Sequence, residues 1–477
     1  MSKTETNNKE MDVKVKFGLK SFITVVAILF VVLFAVGILT YVIPAGTYEI
    51  VDKKIVLESF RLLADGENTT RLPFYRWLTA PFEALFLGSN KSNMIMIIAL
   101  LLVLGGTFKV LEESGGLVSL VRVIMSKLHS KRFVAIWVIT GVIMILSAVF
   151  GLQEQLLILY PVFAMLCVAL NWSRFTAISF VLIASGVGFT TAITNPLTIG
   201  TASIAAGTSV TDGMWYRCII FLVMYVITSL FLTFLAKNDE KKATTKFDLE
   251  GFSMVTAEEH AEDIRKAKMI VVLFSIALLS VIITTAIPSL RSLAMVFMAV
   301  AFIVGTVIIG RMLLGSYKQL GKCFVKGVKD VLPSIVIIMI AFGITYIAQQ
   351  GNIIHTIFNY FYNAVSNISP YLAVIILYVF VLIIEFFIPS ASAKAVLIIP
   401  MLTLVTFEGF SETVIILTYL FADGYTNVLY PTCGTLLVGL GLADVSFAEW
   451  FKKTILFQLL LMLISIGFLM LAVAIKL

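Results

Sequence analysis

Four ionisable side chains interrupt runs that are otherwise apolar. Glu154 stands in "GLQEQLLILYPV", Glu385 and Lys394 stand around the stretch "PSASAKA", and Asp423 stands in "YLFADGYTNVLYPT". A charge at membrane depth is costly and is retained where it lines a ligand or ion path, or where it pairs with another charge. Three of these four are acidic and one is basic. Such a set suits a ligand with a cationic end, leaving Lys394 or a helix N-terminus to meet a carboxylate. The structural alternative is an internal pair of Lys394 with Glu385 or Glu154; Glu385 is read as an ion-pair or coupling residue. Uncharged groups able to donate and accept hydrogen bonds surround the charges: Gln153 and Gln155, Ser390 and Ser392, and the dipeptides Thr194-Asn195 and Thr426-Asn427, with Thr198 just beyond the first. These residues form the expected substrate site. Phe189, Tyr425 and Tyr430 are further candidates for stacking on a guanidinium group.

The elements that must position them are membrane helices. Of 477 residues 60% are hydrophobic and only 13% charged, about half the charged share of a soluble domain, and the mean hydropathy is +1.03. Spans of roughly 20 apolar residues place crossings near 20–44, 91–111, 174–208, 215–236, 267–287, 291–313, 331–349, 411–442 and 453–476. Two of them, 174–208 and 411–442, are too long for one helix and are expected to break in the middle. Gly186, Gly188, Pro196 and Gly200 weaken the first, and Gly424, Pro431 and Gly434 the second. The regions 133–170 and 371–406 read as re-entrant hairpins, each with two short halves around a polar tip. A break inside the bilayer leaves free N–H groups at one new helix end and free C=O groups at the other. The first favour an anion and the second a cation. Asn195 and Asn427 either serve a ligand there or only cap the breaks.

Charge sets the orientation. Lys14, Lys16 and Lys20 in the tail, Lys109 to Arg132, the linker, Arg311 to Lys329, and Lys452 with Lys453 all fall on one side under this scheme. That puts the N-terminus in the cytoplasm and the C-terminus outside, whereas the loop at 45–90 departs from the pattern. The polar stretch 237–266 reads as a solvated linker with a short helix. The order of segments before it returns after residue 291, giving a tail (1–19), a first repeat (20–236), the linker, an extra helix (267–290) and a second repeat (291–477). The extra helix inverts the second repeat, an architecture common among secondary transporters. Two echoes accompany the order: Glu154 and Ala393 each precede a proline by seven residues, and "TNPLTIGTA" answers "TNVLYPTCG". Trp172, Trp215 and Trp450 lie at segment ends, as interface anchors do.

Several functions are disfavoured. The net charge of +7 lies in loops and does not call for nucleic acid. Cys167, Cys218, Cys323 and Cys433 are far apart and read as small core residues, so no metal site and no cofactor is expected. His129, His260 and His355 stand alone in loops or amphipathic stretches. There is no Walker A, HExxH or GxSxG pattern, so neither an ATP-driven pump nor an enzyme is indicated. A channel would need a continuous polar stripe or charged rings, and here polarity gathers at two tips and two breaks.

On the tips "GLQEQ" and "PSASAKA", the breaks "ITNPLT" and "YTNVLYPT", and the polar linker, the chain resembles the YfcC/DcuC-like branch of the ion transporter superfamily over most of its length. That resemblance implies a homodimer in which a transport domain slides against a scaffold, elevator fashion. It implies either a basic amino-acid exchanger or a C4-dicarboxylate carrier, in the bacterial inner membrane. Sodium-coupled relatives carry Ser-Asn-Thr at both tips, where this chain has Gln153-Glu154-Gln155 and Ser390-Ala391-Ser392, which favours exchange or proton coupling. The leading expectation is an arginine/ornithine exchanger in which Glu154 and Asp423 face the cationic group. The alternative is a carboxylate carrier centred on Lys394.

Overall fold

The structure is a computed structural model, and it describes residues 19–51, 54–56, 59–63, 72–88, 91–128, 131–242, 257–287, 289–290, 293–365, 368–388, 390–403 and 411–477. The tail (1–18), His129 and the middle of the linker (243–256) lie outside the described residues. The chain is built from helices: α1 (Leu19–Val42), α2 (Phe74–Leu87), α3 (Lys91–Glu113), α4 (Gly116–Leu128), α5 (Arg132–Phe150), α6 (Tyr160–Ala169), α7 (Arg174–Thr191), α8 (Ile199–Ala206) and α9 (Met214–Lys242) come first. Then follow α10 (Ala257–Ala286), α11 (Ala294–Leu314), α12 (Tyr317–Gln350), α13 (Ile353–Val365), α14 (Pro370–Phe387), α15 (Ala391–Leu402), α16 (Glu412–Thr426), α17 (Gly434–Ala443) and α18 (Phe447–Ala474). The loop after α1 adds two short antiparallel pairs, Gly46–Thr47 (β1) with Arg61–Leu62 (β4) and Ile50–Val51 (β2) with Lys54–Ile55 (β3).

Among the described residues nine helices are long and apolar enough to cross a membrane: α3, α5, α7, α9, α10, α11, α12, α14 and α18. This differs from the expected set in a physical way. The first arms of both expected hairpins are not short halves: α5 has 19 residues and α14 has 18, while only the second arms, α6 and α15, are short. The stretch 411–442, read as a broken crossing, forms two short helices, α16 and α17, on either side of a break. The linker expectation also shrinks, because α9 and α10 continue as helix through Lys242 and from Ala257 into the charged sequence.

Two packing groups emerge. In one, α12 lies against α1, α2 and α3, α11 against α3, and α10 against α4 and α11. In the other, α7 is the centre: α5, α6, α9 and α16 all pack on it, while α14 and α18 pack on α16 and α15 packs on α8. A helix apolar on all sides must be buried on all sides, and α7, rich in Ala, Ser and Gly, is buried almost throughout. The groups touch where α12 meets α17 and α4 meets α6.

The glycines expected to weaken helices do something else. α7 runs unbroken through Gly186 and Gly188, and α16 through Gly424. A Cβ on Gly424 would lie 2.0 Å from Thr190 Oγ1 and 2.4 Å from its Cα, and one on Gly188 would lie 2.6 Å from the Met144 carbonyl oxygen. These glycines let backbones approach, as small residues do between membrane helices. The breaks themselves fall at 192–198 and 427–433, around Pro196 and Pro431. The tryptophans are also corrected: Trp172 and Trp450 are buried, and their indole N–H groups donate to Glu240 at 3.0 Å and to the Val428 carbonyl at 2.8 Å. Only Trp215 is exposed. Of the cysteines, Cys167 and Cys433 are buried, but Cys218 is exposed and Cys323 partly so.

Candidate functional site

Three of the four charges converge. Glu385 sits in the last turn of α14, Lys394 in the first turn of α15 and Asp423 in the last turn of α16. Lys394 Nζ donates to Asp423 Oδ1 at 2.6 Å and contacts Glu385 Oε2, with all three side chains at 0–1% exposure. The Tyr419 ring lies under the ammonium, 5.4 Å from nitrogen to centroid, and its hydroxyl donates to the Ala391 carbonyl, which holds the start of α15. Two carboxylates against one ammonium leave the cluster one negative charge in excess. Asp423 Oδ2 and Glu385 Oε1 have no hydrogen-bond partner. Lys394 is thus paired internally, the structural alternative to ligand binding, with Glu385 and also with Asp423, which sequence reasoning did not pair with it, and not with Glu154.

Glu154 stands apart from the cluster. Gly151, with φ +74°, ends α5 in the left-handed region and turns the chain into the tip. Glu154 follows, partly accessible, and hydrogen-bonds Thr435 in the first turn of α17. A carboxylate at that N-terminus has its charge offset by the free N–H groups of the helix. Cys433, the residue before α17, lies within electrostatic range of both Lys394 and Glu154.

The polar residues cross-link the tips and breaks. Asn427 Nδ2 donates to Gln153 Oε1 at 3.0 Å, joining the second break to the first tip, and Asn427 Oδ1 accepts from the Cys433 thiol at 3.6 Å. Ser392 Oγ donates to the Leu197 carbonyl at 3.2 Å, joining the second tip to the first break. Asn195 Oδ1 accepts from the Leu197 amide at 2.9 Å, the capping role that was the alternative to ligand binding. Its Nδ2 is buried without a partner, as are Gln153 Nε2, Gln155 Oε1 and Thr198 Oγ1. Four such orphans in one region are potential contacts for a polar solute. Thr194 and Thr426 are not available in this way: they donate to the carbonyls of Val149 and of Ala422 and Asp423. Ser390 precedes α15 without capping it by its side chain. The aromatic candidates are packed: Tyr425 is buried beside Ser465, and the Tyr430 hydroxyl donates to the Leu382 carbonyl.

Two residues that the sequence analysis did not single out hold this region in place. Arg217, 2% exposed in α9, donates to the carbonyls of Asp212, Val210 and Ile193, the last of these at the first break. An arginine inside an apolar run is a signal that could have found it. Asp239 Oδ2 accepts from the Ser173 amide at 2.8 Å, Ser173 Oγ at 2.7 Å and Thr176 Oγ1 at 2.6 Å, gripping the start of α7.

The family model described as "C4-dicarboxylate anaerobic carrier" (DcuC) matches residues 22–474. Over 460 residues the chain is 23% identical to the Escherichia coli (strain K12) protein named "Putative basic amino acid antiporter YfcC", covering 89% of this chain and 91% of that one. An uncharacterised Haemophilus influenzae protein is 22% identical over 367 residues, covering 75% of this chain and 71% of that one. Among solved structures the YdaH transporter of Alcanivorax borkumensis covers 95% of this chain and 98% of its own, at 16% identity and a TM-score of 0.43.

Proposed function

The chain belongs to the DcuC family of C4-dicarboxylate anaerobic carriers and is a multi-pass membrane transporter, not an enzyme; on that premise we propose that its solute is a cationic amino acid, arginine exchanged for ornithine. The observation that carries this reading is the state of Lys394. Its ammonium is already held by two carboxylates, so it has no charge left over for a dicarboxylate, and the site as a whole is acidic. A solute with a guanidinium or ammonium end supplies what is missing. Glu154, partly accessible at the first tip, takes that end. Gln153, Gln155, Asn195, Thr198 and Asn427, with Ser390 and Ser392 beside them, form the polar surround for the α-amino and α-carboxylate groups, while Thr194 and Thr426 hold the backbone on either side. Asp423 acts through Lys394. The likeness to a protein named as a basic amino acid antiporter supports the reading.

In the same proposal the group centred on α7 is the transport body, the group centred on α12 the scaffold, and the two halves are inverted repeats. The chain works as a homodimer in the bacterial inner membrane, with its N-terminus in the cytoplasm and its C-terminus outside. Supporting this are the order of elements, in which α5 to α9 is answered by α14 to α18 with similar lengths, and the reciprocal ties between tips and breaks.

The test is counterflow in proteoliposomes loaded with unlabelled arginine, following labelled arginine. Uptake blocked by external ornithine and indifferent to succinate is expected. The family's description gives a second reading, a C4-dicarboxylate carrier using Lys394. Uptake only when the vesicles hold succinate or malate would establish it in place of the first.

A further inference from the structure

The surroundings of Lys394 are those of a bound cation. Its ammonium lies between Asp423 Oδ1 and Glu385 Oε2 and against the Tyr419 ring, at no more than 1% exposure. A lock made only to join helices would need one acid. A second buried carboxylate adds desolvation cost, and here each carboxylate keeps one buried oxygen, Asp423 Oδ2 and Glu385 Oε1, without a donor. Each such oxygen is costly in a protein interior. The three groups also come from three separate helix ends, α14, α15 and α16. The lysine backbone is fixed by its amide, which donates to the Ser390 carbonyl at 2.9 Å, while the ammonium reaches the acids on a flexible four-carbon stem.

We infer that Glu385 and Asp423 form a seat for a monovalent cation, and that Lys394 is its tethered occupant. The protein then carries within its own fold the positive charge that a cation-coupled carrier takes from solution. The inference concerns coupling and holds whichever solute class is transported. It has a specific consequence: wild-type protein is indifferent to Na⁺, and removal of the lysine ammonium creates a Na⁺ or Li⁺ site where none was open. Lys394→Met keeps an unbranched stem of similar length and empties the seat.

The test reads stability, so it is independent of substrate identity. Full-length protein in lipid nanodiscs is melted at pH 8 in NaCl, LiCl and choline chloride of equal ionic strength. The wild type is expected to melt at the same temperature in all three. Lys394→Met is expected to melt lower than wild type in choline and to rise by roughly 3 °C or more in Na⁺ or Li⁺, as a ligand bound only by the folded state requires. Adding Asp423→Asn and Glu385→Gln together should abolish the rise. The inference is overturned if Lys394→Met responds to Na⁺ and Li⁺ no more than wild type does. It is equally overturned if the variant is rescued by lower pH alone, which would mean two crowded carboxylates and no seat. If Lys394→Met does not fold, Lys394→Met with Glu385→Gln carries the same test with one carboxylate left. A Na⁺ response over choline then supports the seat, and its absence overturns it.

Discussion

Substitution of Gly424 by alanine tests the crossing that positions the site. Gly424 is where α16 lies on α7, one residue after Asp423. The added methyl would sit 2.0 Å from Thr190 Oγ1, 2.4 Å from Thr190 Cα and 2.5 Å from Thr190 N. Ordinary contact between carbon atoms is about 3.5–4.0 Å, so the helices must part by more than about 1 Å. Two of the three opposing atoms are backbone, which no rotamer change can move. The cost therefore takes the upper end of the range for overpacking, about 3 kcal/mol. The better helix propensity of alanine offsets about 1 kcal/mol, leaving a net loss of about 2 kcal/mol. In a chain of 477 residues that lowers the apparent melting temperature by roughly 2 °C. The control is Gly467→Ala in α18, where nothing lies within 4 Å of the new Cβ; there alanine should be neutral or stabilising. Adding Thr190→Ala removes only the Oγ1 contact and should rescue little. Counterflow should fall at least tenfold, because a displacement of this size at a binding constellation is costly. A Gly424→Ala protein that melts at or above Gly467→Ala would refute the close crossing and the reasoning built on it.

Three further outcomes follow from other contacts. Glu154→Gln keeps a hydrogen-bonding group opposite Thr435 but removes the charge; it should abolish arginine counterflow while leaving expression and melting intact, and unchanged transport would remove Glu154 from the site. Asp239→Ala strands the Ser173 amide and two hydroxyls, and should cost about 2 kcal/mol, read as a melting temperature roughly 2 °C lower than that of the exposed control Lys242→Ala. A double-mutant cycle between Gln153→Ala and Asn427→Ala should return a coupling of about 1 kcal/mol, and a coupling near zero would mean that tip and break are not tied.

The sequence made the places of the breaks legible because proline, glycine and asparagine gathered inside an overlong apolar run leave a helix little to continue on. It did not separate two uses of glycine. Gly186, Gly188 and Gly424 can each weaken a helix or permit a close neighbour, and only knowledge of Val428, Met144 and Thr190 decides between the two uses. The charge cluster was half legible. Residue type marked all four charges as expensive, but Lys394 and Asp423 are 29 residues apart, and pairing across that distance depends on how α14, α15 and α16 meet. Asp239 was hidden for a different reason: in "KNDEKK" a charge that grips α7 looks like the solvated charges beside it. The unequal arms of the tips are not legible because an apolar run of 18 or 19 residues and one of 10 or 12 have the same residue types, and only the place where the helix starts separates them.

The reciprocal ties bear on how such a body could move. Gln153 of the first tip is held by Asn427 of the second break, and Ser392 of the second tip by the carbonyl of Leu197 in the first. Each tie is a single hydrogen bond, worth about 1 kcal/mol net; at the second tip it is backed by the packing of α15 on α8, so the first tip is the less costly one to part from its break. Parting α7 from α16 is different in kind. Both are buried almost throughout, and their interface is closed by backbone-to-backbone approach at Gly424. Moving the whole α7-centred group against α12 breaks neither the crossing nor the charge cluster. It disturbs contacts between the groups, such as those of α17 with α12 and α1, of α6 with α4, and of α14 with α12. On the proposed elevator reading, local opening at the first tip and rigid travel of the body are therefore the two inexpensive motions. The cluster of Glu385, Lys394 and Asp423 lies inside the part that stays whole, so it travels with the body.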